Sequence, residues 1–271
     1  MTDQTNGDAP YVLQESSGPV LWLTLNRPAQ RNPLSIGMIA AIKSAVSAAN
    51  DMPEVRVIIL ASSGPVFSAG HDLKQMSGMP EDSSLTREEH LRQILDGCAE
   101  MMLGIMHSPK AIIACVQGTA TAAGCQLVSA CDLAIASEDA KFCTPGVNIG
   151  SFCTTPLVGL GRNIHRKHAM ELAITGDMFP AEDAVRFGLI NRVVPAADLR
   201  DVTEELAQKI ASRSAQGIRT GKEAFYRQME MPVEDAFRYA TEIMIQATMA
   251  PEADEGTRAF FEKRQPEWGD A

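Results

Sequence analysis

Gln117-Gly118-Thr119-Ala120-Thr121-Ala122-Ala123-Gly124-Cys125-Gln126-Leu127 is the stretch that decides the fold. It leaves the apolar run Ala111–Val116, turns through small residues, and enters a helical pattern over Ala123–Ala130. A short, unbroken apolar run bounded by turn residues reads as a strand buried on both faces. A strand that passes straight into a helix is half of a crossover unit. Phe67-Ser68-Ala69-Gly70-His71-Asp72-Leu73-Lys74 stands in the same relation to the apolar run Val55–Ser62. Each segment places Gly where a backbone must turn sharply or approach a ligand.

Working outward, Tyr11–Glu15 and Val20–Leu25 are apolar runs separated by Ser16-Ser17-Gly18-Pro19, which predicts a hairpin. Ser35 caps an amphipathic stretch to about Asn50, with Ile36, Ile39, Ala40, Ile42, Ala45 and Val46 at helical spacing. Glu88–His107 reads as another helix, and Asp132–Ala136 and Ala140–Cys143 as two strands. Strands spaced by helices give an α/β fold. From Asp198 the character changes, and Asp198–Arg213, Gly217–Arg227, Val233–Met249 and Glu252–Lys263 are helical patterns with no strand between them. The expected organisation is a flexible tail at 1–10, a core over 11–197 and a helical region over 198–271. The apolar positions of that last region, among them Phe225, Phe237, Met244, Phe260 and Phe261, exceed what a lone surface helix needs. They fit a subunit interface or a lid, or packing on the chain's own core.

The chain has 271 residues and a formal net charge of -10. One large domain, or one with a small appendage, is expected. The acidic balance argues against nucleic acid or an anionic membrane as partner, because both are polyanions. No apolar run is long enough to span a bilayer, and residues 1–10 show no apolar leader pattern, so a soluble, cytoplasmic protein is expected. The six cysteines form no CxxC pair and stand beside no His pair at ligand spacing, so no metal site is expected and the thiols read as reduced.

The chemistry lies in the two turns. The second runs from strand directly into helix, so its first amides point out of a helix N-terminus. One outward-facing N–H from each turn would make an oxyanion hole, which stabilises charge developing on a thioester or ester oxygen. Close packing alone also explains small-residue turns. Other templates fail: no Lys-Ser or Lys-Thr follows at phosphate-loop spacing, no three-glycine dinucleotide fingerprint is present, and there is no Gly-x-Ser-x-Gly elbow.

Taken in order, Leu25-Asn26-Arg27-Pro28, the 67–73 segment, Gly118 to Leu127, Cys131-Asp132-Leu133-Ala134, Phe142 to Pro145, Leu172 to Gly176, Ala181 to Val194 and Phe261 to Arg264 resemble the enoyl-CoA hydratase/isomerase (crotonase) family over nearly the whole chain. The resemblance implies a crotonase-like spiral of ββα units with a C-terminal helical region that builds trimers, often paired into hexamers. It implies an acyl-CoA or enoyl-CoA thioester as substrate or ligand, with no separate cofactor. The thioester carbonyl would sit between the backbone amides of His71 and Ala123. CoA contacts map to Arg27, Ala69, Gly70, Asp72 and Leu73, and Lys263 matches a lysine that reaches a CoA phosphate. Arg31 and Lys74 would add local positive charge or simply be solvated.

At two points the chain departs from that pattern. Hydratases of the family use two glutamates to place and split a water, and neighbouring carboxylates suit this because their pKa values can be pushed apart. The first would stand at Gln126 and the second at Gly146. Gln exchanges no proton at neutral pH, and Gly has no side chain. Three readings follow. One is a hydratase-like lyase with a relocated base, for which His90, Glu88 and Glu89 are candidates. Another is different oxyanion-hole chemistry, as an isomerase, decarboxylase or thioesterase, with Cys153, Thr154 and Thr155 placed where other members carry catalytic side chains. The third is a protein that binds acyl-CoA without turnover.

Overall fold

The computed structural model of the chain describes residues 9–79 and 83–269. The first hairpin is β1 (Val12–Ser17) and β2 (Val20–Leu25), paired from Val12↔Leu25 to Ser17↔Val20. Its turn is therefore only Gly18-Pro19, tighter than the four-residue signal suggests, and Gly18 supplies the positive φ the turn needs. Helix α1 (Ile36–Asn50) starts at Ser35, whose hydroxyl accepts from the Met38 amide. It buries Met38, Ile39, Ile42, Ala45, Val46 and Ala49.

Three consecutive units then share one plan: a long buried strand, a three-residue strand, and a helix. They are β3 (Val57–Ser62), β4 (Val66–Ser68) and α2 (Leu73–Ser77), the last followed by α3 (Arg87–Met106); β5 (Ala111–Val116), β6 (Thr119–Thr121) and α4 (Ala123–Ala130); and β7 (Leu133–Ser137), β8 (Lys141–Cys143) and α5 (Pro156–Asn163). The long strands form a six-stranded sheet ordered β1-β2-β3-β5-β7-β10, parallel beyond the hairpin, with β10 at Arg192–Val194. The short strands stack in a second sheet, β4-β6-β8-β9, with β9 at Phe179–Pro180, flanked by α6 (Arg166–Thr175) and α7 (Ala181–Phe187). This is the expected ββα spiral. The short strands are what turn each βα crossover into a corner, and they hold both glycine turns side by side.

The large sheet is covered on one face by α1, α3 and α4 and on the other by α8 (Leu199–Ala211). Leu199 and Ala207 of α8 close a core with Val20, Trp22, Val57, Ile59, Ile113 and Ile135. Glu204, also on α8, accepts from the Trp22 indole at 2.6 Å and the Ser17 hydroxyl at 2.8 Å. The boundary at residue 198 thus marks a change of composition and not of packing, because α8 belongs to the core. The helices that stand apart are α9 (Ala215–Gln228), α10 (Val233–Thr248) and α11 (Pro251–Glu262). They expose Phe237, Met244, Met249, Phe260 and Phe261, and a groove of about 500 Å³ runs along α10 past Phe237, Met244, Ile245 and Met249. Packing on the chain's own core does not account for these side chains. Of the tail expected over 1–10, residues 1–8 lie outside the described residues, while Ala9 and Pro10 are tied down by their carbonyls.

Candidate functional site: two backbone amides at adjoining turns

The site begins where β4 and β6 pair. Gly70, at φ +81°, lies so close to the second turn that a Cβ on it would stand 2.8 Å from the Thr121 carbonyl oxygen and 3.2 Å from the Ala123 nitrogen. Only Gly fits there. Gly124 is equally constrained, since a Cβ would meet the Ser68 carbonyl oxygen at 2.5 Å. The two turns are therefore in van der Waals contact through their glycines.

Between them the backbone is bent by Ala122, at φ 49° and ψ -116°, a conformation that L-residues rarely adopt. Its own amide donates to the Cys143 carbonyl oxygen at 2.9 Å. The next amide, Ala123 N–H, opens α4 and has no intrahelical acceptor. Neither it nor the His71 amide donates to any group among the described residues. The His71 turn is fixed from the other side, as Leu34 donates to the Gly70 carbonyl at 2.8 Å and Asp72 to the Leu34 carbonyl at 3.4 Å. Buried Asn32 stitches the same loop, its carboxamide donating to the Ser63 and Val66 carbonyls, each at 2.9 Å, and accepting from Arg27 N–H at 2.8 Å. Sequence reasoning passed over Asn32; its type suits its positive φ of 49°.

The sequence-predicted side chains separate into groups. Ala69 is exposed, Leu73 is 60% exposed, and Asp72 is the N-cap of α2, accepting from Lys74 and Gln75 amides. Arg27 is buried, and its charge is engaged within the chain. Its guanidinium donates to the carbonyls of Ala9, Pro10 and Asn26 and lies 3.9 Å over the Tyr11 ring. Arg31 and Lys74 are exposed. Lys263 is the left-handed C-cap of α11, a helix tied through Glu252 and Trp268 to the α8–α9 corner at Ser214 and Ser212 rather than to the two turns.

Gln126 lies one turn into α4 and is buried, with no partner for its carboxamide oxygen. Gly146 begins no side chain, and its place is filled: a Cβ would stand 3.0 Å from both the nitrogen and the Sγ of Cys153 and 3.1 Å from the Phe152 carbonyl carbon. Cys153 is buried, and burial pushes its thiol above the ordinary range. A thiol so placed is a poor nucleophile. Thr154 is exposed and its hydroxyl donates to the Phe152 carbonyl at 3.2 Å, and Thr155 is exposed. The candidates for a relocated base are engaged elsewhere. His90 is buried against the Gln75 carbonyl at 2.9 Å, Glu88 pairs with Arg92 at 2.8 Å, and Glu89 forms a capping box with Thr86. Backbone and hydroxyl hydrogen bonds from Thr86 hold the Glu89 carboxyl below its usual value. Thr144, fully buried with an unpartnered hydroxyl, was not singled out from the sequence; a polar residue between a buried strand and Pro145 is the signal that marks it.

Comparison with known proteins finds relatives over nearly the whole chain. The family model for enoyl-CoA hydratase/isomerase matches residues 15–271. The chain is 40% identical to enoyl-CoA hydratase domain-containing protein 3, mitochondrial, of Xenopus laevis, across 95% of this chain and 85% of that one. It is 41% identical to the Rattus norvegicus protein of the same name, across 91% and 80%. Among solved structures, an enoyl-CoA hydratase from Mycobacterium smegmatis superposes with a TM-score of 0.90 at 44% identity, covering 96% of this chain and 99% of that chain. The human enoyl-CoA hydratase domain-containing protein 3 superposes with a TM-score of 0.90 at 37% identity, covering 95% and 100%.

Proposed function

Because this chain belongs to the enoyl-CoA hydratase/isomerase family, we propose that it binds an acyl-CoA or enoyl-CoA thioester and polarises it between the amides of His71 and Ala123. The observation that carries this reading is the pair of adjoining turns, each with a glycine lying against the other, whose two amides have no acceptor among the described residues. Two N–H dipoles aimed at one point stabilise an oxygen that gains negative charge, and removing one such donor typically raises the barrier by about 2.7–4 kcal/mol. The chemistry of the reading is that of a thioester enolate: the carbonyl oxygen takes up charge, and Cα becomes nucleophilic. The reaction placed first is hydratase-like, with water adding across an enoyl double bond. With Gln126 and Gly146 at the two carboxylate positions, the proton-transfer part is weakened. General acid–base groups typically contribute roughly 10²–10⁴-fold, and crotonyl-CoA turnover is expected to be lower by that order than in a two-glutamate enzyme.

A second reading rests on Gln126 and Gly146 themselves. Reactions that need the enolate but no carboxylate pair, such as decarboxylation or isomerisation, or binding without turnover, suit this site. The exposed apolar residues of α10 and α11 support a homotrimer or homohexamer. The six free thiols suit a reducing compartment, with cytoplasm as the proposed one; the vertebrate relatives above carry the word mitochondrial in their names.

The test uses purified protein with crotonyl-CoA, following loss of the conjugated enoyl absorbance, together with thermal unfolding in the presence of CoA thioesters. Slow hydration with a raised Tm supports the hydratase-like reading. A raised Tm with no turnover supports the binder. If no CoA thioester shifts the Tm, the ligand assignment fails.

A further inference from the structure

In a trans peptide the N–H points opposite to the C=O, so whatever holds the carbonyl aims the amide that follows it. For Ala123 the holder is helical. The Ala122 carbonyl accepts from the Gln126 amide at 3.1 Å, and Ala123 N–H therefore points out of the start of α4. For His71 no helix does this. The Gly70 carbonyl accepts from the Leu34 amide at 2.8 Å, and Leu34 pairs with His71 as an isolated bridge. The aim of the His71 amide is thus set by the loop over residues 27–34.

One carbonyl bond still lets the peptide plane swivel, and Gly70, without a Cβ, is the freest hinge a chain can have. Ser68 acts on the other side of that hinge. Its hydroxyl accepts from the Gly70 amide at 3.3 Å and donates to the Asn32 carbonyl at 2.8 Å. A hydroxyl has one donor and two acceptor sites, so a single group serves both bonds. It joins the residue before His71 to the same loop that holds the Gly70 carbonyl. Ser68 also meets the second turn, since a Cβ on Gly124 would stand 2.5 Å from the Ser68 carbonyl oxygen and 3.0 Å from its Cβ. It is fully buried, so each group freed by removing the hydroxyl is left unpaired away from solvent.

We infer that Ser68 is a positioning residue, whose hydroxyl locks Gly70 to the Asn32 carbonyl and so fixes the direction in which the His71 amide meets a thioester oxygen. The inference rests on the two-amide reading above and adds the side chain on which the aim of one amide depends. A role in packing alone acts on stability. A role in aim acts on how strongly the bound carbonyl is polarised.

The experiment is the infrared spectrum of butyryl-CoA isotopically labelled at the thioester carbonyl carbon, free and bound to the full chain. Two aligned donors draw charge onto the oxygen and lower the carbonyl stretching frequency. The wild type is expected to show this downshift, Ser68→Ala to lose more than half of it, and Ser68→Cys, whose thiol still donates and accepts, to keep most of it. Lys222→Met breaks a buried ion pair on α9; it is expected to lower the Tm and leave the carbonyl band in place. If crotonyl-CoA is turned over, kcat in Ser68→Ala falls roughly 10- to 100-fold with KM little changed. An undiminished downshift in Ser68→Ala overturns the inference and leaves the two-amide reading intact. So does an equal loss in Lys222→Met, because the band would then follow stability and not aim. If Ser68→Ala does not fold, hydrogen exchange in the unliganded wild type decides: the Gly70 amide is expected to exchange far more slowly than the His71 amide, and equal rates overturn the inference. A bound thioester with no downshift in the wild type removes the two-amide reading and this inference with it. Absence of binding removes the acyl-CoA reading and both.

Discussion

Lys222 on α9 reaches across to Asp132, at the start of β7, with Nζ 2.7 Å from Oδ2, and the two side chains are only 8% and 17% exposed. Lys222 also donates to the Lys110 carbonyl at 3.0 Å, Tyr226 donates to the other Asp132 oxygen at 3.0 Å, and the Ile112 amide donates to Oδ2 at 2.8 Å. One carboxylate therefore joins two strands of the large sheet to the first helix that stands off the core. Burial pushes the Asp132 carboxyl above its ordinary value, and Lys222 opposes that shift.

Removing one member of this pair leaves a buried charge without its partner. Lys222→Met is expected to lower stability by about 3–5 kcal/mol in urea unfolding, and Lys222→Met with Asp132→Leu by less than the sum of the single changes. Strict additivity would mean that the two charges do not act as a unit.

Gly146 and Cys153 are a second coupled pair. Gly146→Ala is expected to destabilise by about 1–3 kcal/mol, the range for overpacking. Adding Cys153→Ala returns only part of that loss, because the Cys153 nitrogen and the Phe152 carbonyl carbon also stand 3.0 and 3.1 Å from the new Cβ. Denaturant midpoints of the two singles and the double are the measurement. Full recovery in the double would show that the thiol alone sets the limit.

Ala122 holds a rare backbone conformation, φ 49° and ψ -116°. Strain of this kind amounts to about 1–3 kcal/mol, while Gly loses roughly 0.5–1 kcal/mol relative to Ala through its freer unfolded chain. Ala122→Gly is therefore expected to be neutral to more stable by about 1–2 kcal/mol, and Ala122→Val, which is β-branched, clearly less stable. A large loss on Ala122→Gly, read from the Tm, would mean that the Ala122 methyl is needed for packing against Gly70.

The buried thiols give a pH dependence of fixed sign. Burial pushes Cys98 up to about 12 and Cys115 and Cys143 up to about 11, against about 8.5 for an unfolded thiol. Between these values the folded state holds protons that the unfolded state has released, so stability is fully present below about pH 8.5 and is lost as pH rises through the folded values. Urea midpoints are expected to be unaffected by the thiols from pH 7 to 8 and to fall progressively above pH 9. At pH 8 a thiol reagent should label the native protein far more slowly than the unfolded one; equal rates would contradict the burial.

The sequence made the long elements legible and the short ones obscure, for a simple reason. Val57–Ser62 and Ala111–Val116 are long enough to read as buried strands, and α1 announces itself by its Ser35 cap and its stripe. Ala140–Cys143 reads as a strand and is β8, but β4, β6 and β9 have two or three residues each, too few for any period to show. They exist because their neighbours pair with them. Glycines mark both turns in the sequence, and the family resemblance points within them to the amides of His71 and Ala123. The commitment of Arg27 to Ala9 and Pro10 was not legible there, since it depends on where the chain's beginning comes to rest. Nor was the packing of Cys153 into the space of Gly146, which requires two segments to be seen together.

The reach of Ala122 N–H to Cys143 has a consequence for which side chains the two turns depend on. That bond and the contact of Gly70 with Ala123 join the turns by main-chain atoms alone. The Gln126 side chain takes no part in either. What stands at position 126 can therefore change while the frame that carries it stays the same.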